Sequence, residues 1–209
     1  MAFLVTTWAS RADAQVTDNK IWSGVSTAAD LNKKLRVSAE FQHRFGIDAG
    51  HDKTFAELGL RYELHEQVRV ALGLRGGLAT DEEEVNSQLR VFGDLAWRRR
   101  FDKFRIGTRA RLQNENEAGR AKQAARLRFK GAFRPVKGYE VYSSFEWFYR
   151  IDAKELRQHR WTLGFELPLA NQWSADLAYR FEEEFFVNNP ETSHIFAVGF
   201  SYQFDEDLF

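Results

Sequence analysis

The chain contains no cysteine, which excludes a disulfide framework, thiolate metal sites and cysteine nucleophiles together. It has only three prolines. Nowhere does an uncharged apolar run approach the roughly 18 residues a transmembrane helix needs. Net charge is also missing: 30 basic residues balance 30 acidic ones, so there is no global basic field of the kind that draws nucleic acid. What the chain has instead is an unusual pairing. Aromatic residues make up 15% and charged residues 29% of its 209 positions. A water-soluble domain rarely combines so many large rings with so many charges unless the two sets are kept apart.

Period-two alternation keeps them apart. Ten segments read as strands: 33–46, 54–64, 67–79, 87–100, 103–113, 121–134, 138–151, 159–169, 172–185 and 194–204. Each has one apolar register, such as Ala56, Leu58, Leu60, Tyr62 and Leu64, or Tyr139, Val141, Ser143, Phe145, Trp147 and Tyr149. No Asp, Glu, Lys or Arg enters that register across 49 positions. Long strands alternating in this way are the signature of a transmembrane β-barrel, and only helices and closed barrels satisfy the backbone in lipid. The expected fold is therefore all-β: an up-and-down antiparallel barrel of ten clear strands, with twelve possible, spanning the bacterial outer membrane. Ile21 to Ala29 also reads as strand-like and would make an eleventh strand, against the even count usual in bacterial barrels; it is expected in the interior or at the seam.

Alternation alone does not say which face is inside, and a lipocalin-like barrel would turn the apolar register inward. Three features favour the inverse. About 50 mostly bulky apolar side chains are too many for the interior of a ten-stranded barrel. Tyr62, Trp97, Tyr139, Trp147, Tyr149, Trp161 and Trp173 gather near segment ends, as an interfacial aromatic girdle requires. The closing segment carries aromatics at Phe200, Tyr202 and Phe204 in the apolar register, like the terminal strand signal of outer-membrane barrels. Connections alternate between short turns and the longer polar loops 47–53, 80–86, 114–120, 152–158 and 186–193, which places the long loops outside. At the N-terminus, a short apolar stretch followed by Ala12-Asp13-Ala14 resembles the end of a secretory signal. Residues 1–14 are thus expected to be a signal peptide and 15–209 one barrel.

The opening IWSGVSTAADLNKKLRVSAEFQHRF and the closing NNPETSHIFAVGFSYQF resemble a family of bacterial outer-membrane proteins known as domain of unknown function 2490. Asn189, Pro190, Glu191, Thr192, His194 and Ile195 match the first part of its closing motif, and Gly199, Tyr202 and Phe204 the second. The chain departs from that pattern by running on through Asp205 to Phe209. The resemblance implies fold and location and brings no activity. It makes outer-membrane lipid, lipopolysaccharide and, during insertion, the barrel-assembly machinery the expected partners.

The register opposite the apolar one is the candidate site. Arg105, Arg109, Arg111, Arg126, Arg128, Lys130 and Arg134 fall on two neighbouring strands, and Glu140, Glu146, Glu166, Asp176 and Glu182 on the next three, with Arg180 among them. A basic wall facing an acidic one would set a transverse field across a pore and select solutes. Alternatively, these charges pair and fill a barrel too narrow to conduct. A rim hydrolase acting on lipid A or phospholipid is a third reading, but Ser193 and His194 are adjacent on a strand and point to opposite faces. No catalytic residue is therefore assigned. The acidic run Asp81 to Glu84, with Glu115 and Glu117, reads as solvated loop before divalent-cation site. His43, His51, His65, His159 and His194 lack metal-ligand spacing. Gly73, Gly76 and Gly77 are strand glycines used where a barrel bends or side chains crowd. No cofactor or metal is expected. The leading expectation is a structural or envelope-interaction barrel, or a narrow, charge-plugged channel; a small-solute porin is the runner-up.

Overall fold

The computed structural model describes residues 16–47, 52–81, 84–117, 119–186 and 190–204. The signal expected at 1–14 and the tail 205–209 lie outside the described residues. Among the described residues eleven strands follow one another: β1 (Val16–Asp30), β2 (Leu35–Gly46), β3 (Asp52–His65), β4 (Val68–Asp81), β5 (Glu84–Phe101), β6 (Phe104–Glu117), β7 (Arg120–Phe133), β8 (Glu140–Arg150), β9 (Glu155–Pro168), β10 (Trp173–Glu184) and β11 (Glu191–Gln203). Each pairs with its sequence neighbour, and β1 closes on β11 to complete a barrel.

Two sequence expectations are corrected here. The strand count is eleven, not ten or twelve, and the meander is not antiparallel throughout. Strands that alternate in direction around a closed ring must, if odd in number, meet once in parallel. That seam is β1 against β11, in register from Val16 opposite Glu191 to Ala28 opposite Gln203. Its end is held by the Phe204 amide, which donates to the Ala28 carbonyl at 3.0 Å. The strand-like segment around Ile21 is thus the seam strand, and it starts five residues earlier than its apolar pattern does. Val16 to Lys20 reads VTDNK and offers no run of outward apolar residues; pairing with β11 makes it a strand.

The barrel is apolar on the outside. Among the described residues forty-two large apolar side chains are exposed, including Leu58, Leu72, Leu112 and Leu163, while Trp22, Phe55, Phe92 and Ile195 are the large ones buried. Buried charge sits at Asp18, Arg111, Glu140, Glu146 and Glu182. In ordinary globular proteins such groups are the last to be buried and Leu the first. Inside, charged side chains meet across strands that are not neighbours: Arg105 on β6 reaches Glu140 on β8 at 2.6 Å. A contact that skips a strand is possible only where both side chains project into a shared interior.

Glycines make room for inward-facing rings. A Cβ on Gly73 would lie 2.0 Å from the Phe92 ring, and one on Gly164 would lie 2.2 Å from the Tyr142 ring. Each glycine is the cross-strand partner of the aromatic that covers it. Gly77 takes Phe55 in the same way, with 2.7 Å to its Cβ. The rings lie back against the wall instead of across the interior. This is the crowding that calls for glycine within a strand.

Candidate functional site

Ion pairs and a shared cavity bring most of the charged residues singled out in the sequence together. The basic strands β6 and β7 do not confront the acidic residues of β8 across an opening; they adjoin them. Glu146 on β8 is shared by three guanidiniums: Arg109 at 2.9 Å, Arg126 at 2.9 Å and Arg160 at 3.5 Å. Glu140, near the start of β8, is shared by Arg105 at 2.6 Å, Lys130 at 3.0 Å and Arg134 at 2.7 Å. Asp94 binds Arg111 through two hydrogen bonds of 2.7 and 2.8 Å. Asp176 accepts from the Tyr142 hydroxyl at 2.8 Å, with Glu166 as its cross-strand partner. Glu182 accepts from Arg160 and Gln158. A carboxylate removed from water needs such partners, because desolvation costs several kcal/mol per ion.

The cations outnumber these partners. A cavity of about 600 Å³ runs inward from the ends of the long loops, past Lys122, Arg150 and Arg157, to Lys130 and Tyr142. Fourteen Arg and Lys side chains line it against five Glu, a formal excess of nine positive charges. Three of the arginines, Arg44, Arg128 and Arg180, make no ion pair among the described residues. Below the cavity, the Glu140 cluster lies toward the end that carries the short turns.

Aromatic faces hold several of the guanidiniums, a feature the sequence reading missed. Arg111 lies 3.5 Å over Phe92, Arg75 3.8 Å over Phe55 and Arg126 4.4 Å over Phe148. Lys130 lies 3.8 Å over Tyr142. Trp22 on the seam strand receives three: Arg44 at 3.7 Å, Arg180 at 4.7 Å and Arg160 at 5.2 Å. For Phe55, Phe92 and Tyr142 the available signal was an aromatic standing in the charged register opposite a glycine, and reading it requires the strand register.

The remaining sequence candidates separate cleanly. Tyr62, Tyr139 and Trp173 are exposed near the short turns, with Trp97 half-buried beside them; Trp147, Tyr149 and Trp161 are exposed toward the long loops. Phe145 packs on Trp147 and Trp161 with centroids 4.6 and 4.4 Å apart. Phe200 and Phe204 are exposed on β11 and just after it, and Tyr202 packs on Trp173 with the rings tilted and their centroids 5.2 Å apart. Ser193 is buried and bonded to Glu191 and, at 3.0 Å, to Lys20, whereas His194 Nδ1 lies 2.6 Å from the outward Tyr179 hydroxyl. The two do not meet. In the acidic loop candidate, Glu82 and Glu83 lie outside the described residues. Glu115 is bonded to Arg90 at 2.8 Å. No group of His, Asp and Glu suited to a metal ion occurs among the described residues. In the β8–β9 turn, the hydrogen bond from Arg150 to exposed Asp152 holds that carboxyl down at about 2.

No curated protein matches the sequence. Among solved structures, LpxR from Salmonella typhimurium is similar with a TM-score of 0.54 at 10% identity, over 80% of this chain and 83% of that one. The NanC porin gives 0.45 at 10% identity over 78% and 86%. The outer-membrane expressed OmpT of Vibrio cholerae gives 0.42 at 11% over 72% and 54%. At such identities the likeness concerns the fold alone. The family model described as protein of unknown function (DUF2490) matches residues 19–193. The closing motif read from the sequence begins within that span, at Asn189 to Thr192, and continues past its end, and the chain belongs to the DUF2490 family.

Proposed function

We propose that the protein is an outer-membrane barrel whose narrow interior admits small anions from the long-loop side. The observation that carries this reading is the cavity charge: fourteen cations against five carboxylates in a chain whose total charge is zero. Low-dielectric walls focus such a field and raise the local concentration of counter-ions. Rings of Arg and Lys are a recognised basis of anion selectivity in pores.

The membrane setting rests on the outer face. On β8 the outward residues run from Tyr139 to Tyr149, ten positions, with Val141 and Phe145 between. At ~3.3 Å per residue and a tilt near 40°, they span about 25 Å, the height of an outer-membrane apolar band. Aromatics stand at both of its margins. The charge-plugged alternative draws on the Glu140 cluster, which narrows the short-turn end and predicts small conductance. A hydrolase finds no support at Ser193, whose hydroxyl is engaged by Glu191 and Lys20.

Reversal potential in a planar bilayer under a salt gradient tests the reading. Small, discrete steps with chloride more permeant than potassium are expected. Cation selectivity would overturn it, and complete silence would favour the plugged barrel.

A further inference from the structure

The cations of the interior fall into two kinds. Around β6–β8, guanidiniums converge on Glu140 and Glu146. On the seam side, Arg44 of β2 and Arg180 of β10 are separated by two strands whose inward residues at that level are Trp22, Ile195, Ala197 and Lys20. The one charge among them is a further cation, Lys20, held by Asp18 and Glu191. Both guanidiniums lean on the Trp22 ring, at 3.7 and 4.7 Å from its centroid. An indole face attracts a cation by its quadrupole but does not neutralise it. Arg180 Nε and Trp22 Nε1 are buried with no hydrogen-bond partner among the described residues. Arg44 has one acceptor, the Gln42 side chain at 2.7 Å. Arg128 completes the set, lining the same cavity with no ion pair among the described residues.

The nearby carboxylates are committed or few. Glu182 is bonded to Arg160 and Gln158, and Glu40 accepts from Gln42 at 3.3 Å and stands opposite Glu57. Arg44, Arg128 and Arg180 are half-buried and line the cavity.

We propose that Arg44, Arg128 and Arg180 form a binding site for a soluble polyanion bearing two or more phosphate or carboxylate groups. The inference rests on the anion-admitting interior proposed above and names its solute class. Planar guanidinium forks match carboxylate and phosphate oxygens two at a time. The cavity volume of about 600 Å³ lies within the range of small-molecule pockets and exceeds what a single small ion fills. The rings of Trp22, Phe55, Phe92, Tyr142 and Phe148 already carry cations, so the site is built to recognise charge.

The test is calorimetric titration of the full chain, folded in lipopolysaccharide-free detergent, with pyrophosphate, citrate, acetate and glucose. Pyrophosphate and citrate are expected to bind and to compete, with acetate at least about tenfold weaker and glucose silent. R44Q/R180Q should weaken pyrophosphate about tenfold or more, while Lys33→Gln, in an exposed turn, leaves it unchanged. Folding of each variant is checked by the gel shift on boiling. R44K/R180K, which keeps the charge and loses the forks, should weaken binding by a smaller factor. Equal pyrophosphate affinity in R44Q/R180Q and the parent would overturn the site, as would acetate binding as tightly as pyrophosphate. Displacement of pyrophosphate by added lipopolysaccharide would assign the site to lipid phosphates and overturn the soluble solute. Anion-selective current without pyrophosphate binding would overturn the site and leave the channel reading standing. Binding in a barrel that passes no current would sustain the site alone.

Discussion

Two quadrants of the same interior solve the problem of buried charge in opposite ways. Between β6 and β8, two or three cations share each of Glu140 and Glu146, and the carboxylate holds them together. At the seam, Arg44 and Arg180 lie against one indole with no carboxylate of their own. In the first quadrant the ion pairs belong to the structure and removing an acid should be damaging. In the second the charge is surplus to the fold, and removing a cation should cost binding and not stability. Location within one barrel therefore says little about what a charged residue does; its partners say more.

The largest effect should come from breaking the first quadrant. Glu146→Gln leaves Arg109, Arg126 and Arg160 facing one another around a neutral amide. A loss of about 3–5 kcal/mol is expected, as for other buried pairs stripped of one partner, seen as a lower urea midpoint for unfolding from vesicles. Glu140→Gln should cost less, because Arg105 and Arg134 keep 28% and 36% of their side chains exposed. Next comes the wall that sets the rings. Gly164→Ala would press a methyl onto the Tyr142 ring, and overpacking of that kind costs about 1–3 kcal/mol. The same urea titration reads it, and a Tyr142→Ala background should relieve it.

The second quadrant sharpens the comparison. Arg180→Gln removes a cation with no ion pair and a buried Nε without a partner, so the midpoint should stay level or rise. A fall comparable to that of Glu146→Gln would erase the distinction between the quadrants. The smallest effect lies outside the barrel wall. Asp152 is ionised down to about pH 2 by its hydrogen bond from Arg150. A depressed carboxyl stabilises above its unfolded value, near 3.8, and that contribution fades as pH falls toward 2. Asp152 is fully exposed, so solvent screens the pair, and Asp152→Asn should leave the neutral-pH midpoint unmoved.

Much of the fold could be read from the sequence because one constraint governs it. Every strand from β2 to β11 carries an apolar register facing out, and period-two alternation reports that directly. The seam strand escaped in part because Thr17 and Asn19 are polar where the other strands are apolar, and the parallel closure is a property of the ring that no single segment reveals. The site was half legible. The alternation assigned Arg105, Glu140 and Arg180 to the same face, but it gave no hint that Glu140 would gather three cations while Arg180 would gather none. Those partnerships depend on which strands meet across the interior. Phe55 and Phe92 were hidden for a related reason: in a charged register an aromatic looks like an exception, and only the opposing glycine explains it.

The central claim is that the apolar register meets lipid while the opposite register meets an anion-attracting interior. Ser143 and Ser144 test it as neighbours on β8: Ser143 is exposed between Val141 and Phe145, and Ser144 lines the cavity. With no native cysteine in the chain, S143C and S144C each give a single thiol in lipid vesicles. The Ser144→Cys thiol should react with a negatively charged thiosulfonate faster than with a positively charged one, while the Ser143→Cys thiol should resist both and accept a lipid-soluble maleimide. Reaction of the Ser143→Cys thiol with the water-soluble reagents, and silence at Ser144→Cys, would turn the barrel outside in and contradict the account.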